Sequence, residues 1–290
     1  MRAIAAFVAL FAAALGLVAA ATPTVWGWLS GFMNVPFHRV GNRLAMLGLA
    51  LGLYVVARWL RVNNRRDMGF DLPRRQFIYE MARGVLLGVA FMLPLSLLLL
   101  ATGLRELDGP IQAGLLLRGL LAALGSGLTV AFIEESFMRG AMQSAITREA
   151  GLVVAIVVSA LFYAAVHFFA RFTIEAADVG RGSGIDLVAG SLRAFAQPMQ
   201  MIDAFLCLAG VGVLLSVIRH RTGNIAAAMG LHAGWVMVML VLVRATHVVP
   251  DAPGHWLLSQ HDGFVGWLVL GWTLLTAPLM LRAWPKNKAY

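Results

Sequence analysis

The sequence predicts an all-α fold: a polytopic transmembrane bundle of about eight helices with both termini in the cytoplasm. Three observations carry that prediction. Of 290 residues, 60% are hydrophobic and only 13% charged, and the mean hydropathy is +0.80, far from the composition of soluble domains. Several apolar runs reach the roughly 20 residues that a helix needs to cross a hydrocarbon core about 30 Å thick. The cations behind the net charge of +9 gather in short segments beside those runs, which is how membrane proteins set their orientation. No basic surface with interleaved aromatics appears, so the expected partner is the lipid bilayer and not nucleic acid.

The elements follow in chain order. Residues 3–21 form the first apolar run, preceded by Arg2 and ending in small residues up to Ala21. A cleaved signal and a retained helix both fit, and the length of the run favours the retained helix. An irregular stretch with Trp26, Trp28 and Pro36 leads to the second crossing at 44–60, where Gly48 and Gly52 make a G-x-x-x-G pair suited to helix packing. Segment 61–75 carries five arginines and is placed in the cytoplasm. The third crossing spans 77–101. The fourth, 112–147, is too long for one straight span, and Gly125 and Gly127 offer a bend. The fifth covers 151–169. Within the polar segment 171–198, Ile185, Val188, Leu192 and Phe195 recur at helical spacing, which predicts a helix on the outer interface.

The sixth crossing, 200–218, contains the single Cys207, a packing residue by its apolar surroundings. The seventh, 224–243, is followed by an outward loop, 244–262. The eighth, 263–283, ends at Arg282, Lys286 and Lys288. The organisation expected is a two-helix segment and basic loop (1–75), a core (76–245), and a last helix with its tail (246–290). His38, His220, His247, His255 and His261 fall in predicted loops.

Ionisable residues inside apolar helices mark function, because a charge at the bilayer centre costs roughly 2.5–3.5 kcal/mol on insertion scales. The fourth crossing holds three within six positions: Glu134, Glu135 and Arg139. Glu135, Arg139 and Gln143 share a stripe by i+4 spacing, and Glu134 is rotated about 100° from it. That predicts an internal Glu135–Arg139 ion pair, with Glu134 turned towards the chemistry. Glu134 lies about sixteen residues before the turn near Gly151 and His167 about sixteen after it, so both stand roughly 24 Å from that turn. His232 lies in the cytoplasmic half of the seventh crossing. The three are expected in one pocket. Gly230 and Gly234 mark another face of that helix, where a neighbour can approach closely.

These residues, in this order, resemble the CPBP intramembrane proteases, the type II CAAX prenyl endopeptidases and their bacterial relatives. The motif E-E-x-x-x-R matches Glu134-Glu135-Ser136-Phe137-Met138-Arg139. An aromatic residue four before a histidine matches Tyr163 and His167, with Tyr in place of the usual Phe. A histidine followed four later by Asn or Asp matches at His232 and departs at Val236, where Trp235 beside it offers an indole N–H instead. The resemblance covers about 75–245. It implies an intramembrane endopeptidase in which Glu134 is the general base, His167 orients the water and His232 stabilises the oxyanion. Glu135, Arg139, Tyr163, Trp235 and Val236 would support them. The implied substrate is a membrane-associated peptide or protein, prenylated CAAX proteins being one class.

Two chemistries stand at this stage. Glu134, His167 and His232 as three zinc ligands would leave the fourth position open. A metal-free glutamate mechanism is the other, favoured because no H-E-x-x-H pair separates ligand from base. A scaffold or immunity-type protein of the same fold, and a proton-coupled transporter, are the non-hydrolytic alternatives. A bacterial cytoplasmic membrane, with the site towards the cytoplasm, is the expected location.

Overall fold

The computed structural model describes residues 1–110, 113–169, 172–260 and 262–285. His261 and the tail lysines Lys286 and Lys288 lie outside them. The elements are α1 (Arg2–Leu29), α2 (Phe37–Trp59), α3 (Arg74–Ala101), β1 (Arg105–Leu107), α4 (Ala113–Glu135), a π-helical segment (Ser136–Met142) and α5 (Gln143–Ala150). After these come α6 (Leu152–Val166), α7 (Ser183–Arg193), α8 (Ile202–Thr222), α9 (Ala226–Ala245), β2 (Thr246–Val248) and α10 (Trp267–Ala283). Among the described residues six helices are long and apolar enough to cross a membrane, counting Gly114–Ala150 as one; Leu152–Val166 and Trp267–Ala283 are apolar but shorter. The chain is therefore all-α in its bulk and multi-pass in character.

The organising helix is α9, which is buried from Ala226 to Trp235. Small residues explain how neighbours come so near. A Cβ added to Gly84 of α3 would stand 2.6 Å from the Ala227 carbonyl oxygen, and one on Gly234 of α9 would stand 2.5 Å from that of Val85. Gly127 of α4 backs onto the Ala233 carbonyl in the same way. The neighbour expected at Gly230 and Gly234 is thus α3. Backbone-to-backbone contact of this kind is how membrane helices associate without a hydrophobic driving force between them.

Several sequence expectations are corrected. The stretch after residue 21 is helical to Leu29, with Pro23 inside α1. Proline donates no hydrogen bond to the carbonyl four residues back, here Ala19, and Gly184 of α7 packs directly on that oxygen. The irregularity of the fourth crossing falls at the π-helical segment, since Gly125 and Gly127 lie within regular α4. The fifth crossing stops at Val166, with 167–169 in a tighter turn. His38 and His220 lie inside α2 and α8 and not in loops.

At one end of the bundle two unforeseen strands pair antiparallel, Glu106 opposite His247. Buried Arg105 stitches this end, donating to Thr246 Oγ1 at 2.7 Å and to the Gly263 carbonyl at 2.8 Å. At the other end the basic segment is strapped down. Arg148 donates to the Leu60 and Arg61 carbonyls, Ser144 to that of Asp67, and Arg219 to those of Arg66 and Asp67. The α7 helix rests Ser183, Gly184 and Leu187 inward and leaves Ile185 and Leu192 exposed; of the stripe read from the sequence, Val188 packs on the cluster of Val18, Phe37 and Leu187, and Phe195 lies beyond α7, against Phe168 and Phe169.

Candidate active site

The site is built where α4 gives way to the π-helical segment. A π turn carries one extra residue and is frequent at functional sites. Here it follows Glu134 and Glu135 directly and holds Arg139. Glu135 and Arg139 are both fully buried, and Arg139 Nη1 donates to Glu135 Oε1 at 3.1 Å. Arg139 Nη2 donates to the Gly212 carbonyl of α8 at 3.2 Å. Its guanidinium carbon lies 4.6 Å from the Tyr163 ring centroid, a cation–π contact that is strongest when desolvated. Gln143, one turn on, donates to the Ser216 carbonyl at 3.1 Å. The expected ion pair and the shared stripe are both present.

His232 reaches this cluster from α9. Its Nδ1 stands 2.9 Å from Glu135 Oε1, and its Nε2 stands 3.9 Å from Glu134 Oε2. A carboxylate can only accept, so Nδ1 carries the proton and the bond fixes the ring. The 3.9 Å gap is too long for a hydrogen bond. Glu134 is the more open of the two acids, its side chain 28% exposed, although its Oε2 is buried without a protein partner. The contact from His232 to Glu135 is the one that sequence spacing missed. The only prior signal was that both residues fall in the same half of the membrane.

His167 stands one contact further out. It caps α6, and its Nδ1 lies 2.7 Å from the Tyr163 carbonyl. A carbonyl also only accepts, so Nδ1 is the donor and a neutral His167 leaves Nε2 as an acceptor. The Tyr163 ring links the two histidines edge-on, with centroids 4.5 Å from His167 and 6.1 Å from His232. Trp235 lies in the apolar cluster with Leu95, Leu99 and Leu258, and Val236 is half-buried beside it.

Among the described residues no group of three His, Cys, Asp or Glu side chains is placed to hold a metal ion. The Nδ1 bonds of His167 and His232 leave Nε2 as the nitrogen that could face a ligand, and it is the spacing of Glu134, His167 and His232 that does not make the three-ligand set zinc would need.

Residues 116–238 match the family model described as Type II CAAX prenyl endopeptidase Rce1-like. That span begins inside α4 and ends inside α9, and it includes Glu134, Glu135, Arg139, Tyr163, His167, His232, Trp235 and Val236. No curated protein and no solved structure matches the chain.

Proposed function

Residues 116–238 form an Rce1-like type II CAAX prenyl endopeptidase family domain, and from that premise we propose that this chain is an intramembrane peptidase. The observation that carries the reading is a single imidazole, His232, set between two carboxylates of adjacent residues inside an apolar bundle.

Glu134 is the general base. It removes a proton from a water bound between its Oε2 and His232 Nε2, and the water oxygen attacks the carbonyl carbon of the scissile peptide. The π pair of that carbonyl moves onto its oxygen. His232, as imidazolium, donates from Nε2 to the oxyanion, while Glu135 holds Nδ1. Donors of this kind act strongly where water is excluded. Collapse of the tetrahedral species breaks the C–N bond, and Glu134 returns its proton to the leaving amine. His167, with Nε2 as acceptor, orients the water from the Tyr163 side. Arg139 balances the charge of Glu135.

Val236 fits this account. In the related motif an Asn or Asp stands one turn after the histidine; here Glu135 already fixes the His232 ring, so a polar group at 236 is not needed for that task. The substrate is a membrane-associated peptide, with prenylated chains as one class within it.

Purified protein incubated with membrane peptides, with fragments read by mass, tests the proposal. The unaltered chain cleaves, and Glu134→Gln, folded to the same level, loses about 10²–10⁴-fold in kcat, the range for a positioned base. A Glu134→Gln variant as active as the parent would sink the mechanism. Cleavage by neither would favour a scaffold of the same fold.

A further inference from the structure

A hydrolase embedded in apolar helices needs water at its base, and one stripe of this molecule is suited to bring it. Along residues 134–143, four buried side-chain atoms have no hydrogen-bond partner among the described residues: Glu134 Oε2, Glu135 Oε2, Arg139 Nε and Gln143 Oε1. They belong to residues that follow one another along the α4–α5 rod through the π-helical segment. Glu135, Arg139 and Gln143 are each more than nine-tenths buried. A buried polar atom without a partner is costly, and waters bonded to several such groups are the common remedy.

The same stripe ends in a cleft. A cavity of about 220 Å³ opens at the arginine-rich end of the bundle, with Arg139 and Gln143 as its inner wall and Asp67, Ser144, Thr147 and Arg148 towards the mouth. Arg139 therefore faces both ways. It lines the cleft, and its Nη1 holds Glu135 at the site.

We propose that this cleft is the water entrance of the site, with Gln143 and Arg139 as positioning residues that pass water from the basic end to Glu135 and Glu134. The proposal rests on the hydrolytic reading for its purpose but not for its test. Substrate then approaches from the lipid side and water from the aqueous end, so the two need not share a door.

Gln143→Cys, in a Cys207→Ser background and treated with the anionic sulfonatoethyl methanethiosulfonate, reads the path without any activity. It should react at least tenfold faster than Val157→Cys, which is exposed on the outer face of α6 at a similar distance from the Gly151 turn. Equal rates would overturn the proposal. Should the cysteine at 143 not fold, hydroxyl-radical footprinting of the unaltered chain decides. Tyr163, against Arg139, should be modified well ahead of the equally buried Phe7, and Tyr163 as slow as Phe7 would overturn the path. The final arm uses Gln143→Leu with a cleaved peptide. A fall in kcat of tenfold or more at unchanged KM, recovered by Gln143→Asn, supports the route, and full activity of Gln143→Leu excludes it. A parent that cleaves nothing while Gln143→Cys still labels would refute the peptidase and leave the water path standing.

Discussion

Glu135 Oε1 accepts from two donors at once, Arg139 Nη1 at 3.1 Å and His232 Nδ1 at 2.9 Å. Half of that arrangement is legible in the sequence, because i+4 spacing on one helix puts an acid and a base side by side. The other half joins positions 97 apart, and nothing in local spacing reports which face of α9 meets which face of α4. Breaking a buried pair by removing one partner costs roughly 3–5 kcal/mol, because the charge left behind is uncompensated. Arg139→Leu is therefore expected to lose about that much in detergent unfolding. Arg139→Lys should fall between, since one ammonium cannot reproduce a planar fork that reaches both Glu135 and the Gly212 carbonyl. Glu135→Gln makes a sharper test. Its amide oxygen still accepts from Nδ1–H, so the ring keeps its place; stability falls because Arg139 loses its counter-charge, and the charge that steadies the imidazolium is gone. The expected result is a fall in kcat on the order of tenfold to a hundredfold with KM unchanged, read by peptide cleavage; an unchanged kcat would make Glu135 purely structural.

At the scale of elements, the seam between α3 and α9 decides where His232 sits. Gly84 and Gly88 face Gly230 and Gly234 across it, with carbonyl oxygens where side chains would otherwise be. The sequence showed the α9 half of that seam, as two glycines on one face; its partner had no signal beyond two more glycines at the same spacing in 77–101. The π-helical segment was not legible for a different reason. The stripe of Glu135, Arg139 and Gln143 reads as ordinary helix at i+4, and only coordinates reveal the extra residue per turn. Near the N-terminus, Trp26, Trp28 and Pro36 suggested an irregular stretch, whereas α7 covers the carbonyl that Pro23 leaves and lets α1 continue. Gly234→Val should force α3 away from α9. Overpacking typically costs about 1–3 kcal/mol, and here the movable atoms are backbone, so the upper end is expected in thermal unfolding. Activity should fall further than stability, because His232 lies two residues from the substitution. Gly184→Ala, by contrast, should loosen α7 from α1 and leave peptide cleavage nearly unchanged.

The whole molecule has two chemically distinct ends. One gathers Arg61, Arg65, Arg66, Arg148, Arg219 and Arg221, tied together by bonds from α5 and α8 to the 61–75 segment and by Arg221 to the Leu281 carbonyl of α10. The other holds the β1–β2 ladder, where Asp108 pairs with His247 at 2.7 Å and Arg105 is the buried cation, drawn below its usual pKa by loss of solvent. Contacts alone show that the basic segments share an end, which the count of arginines per loop had suggested. They do not say which side of the membrane it faces; that step belongs to the tendency of Lys and Arg to remain in the cytoplasm. If it holds, the cleft beneath Arg148 opens to the cytoplasm and the strand pair to the outside. Single cysteines at two exposed positions, Asn63→Cys in the basic segment and Asp251→Cys after β2, separate the possibilities in a Cys207→Ser background. In intact cells an impermeant maleimide should label Asp251→Cys only, and Asn63→Cys should react once the membrane is opened. The reverse pattern would turn the site outward while keeping its geometry. Labelling of both from one side would contradict the bundle itself, because α3 alone separates the basic segment from β1, and β1 is hydrogen-bonded to β2.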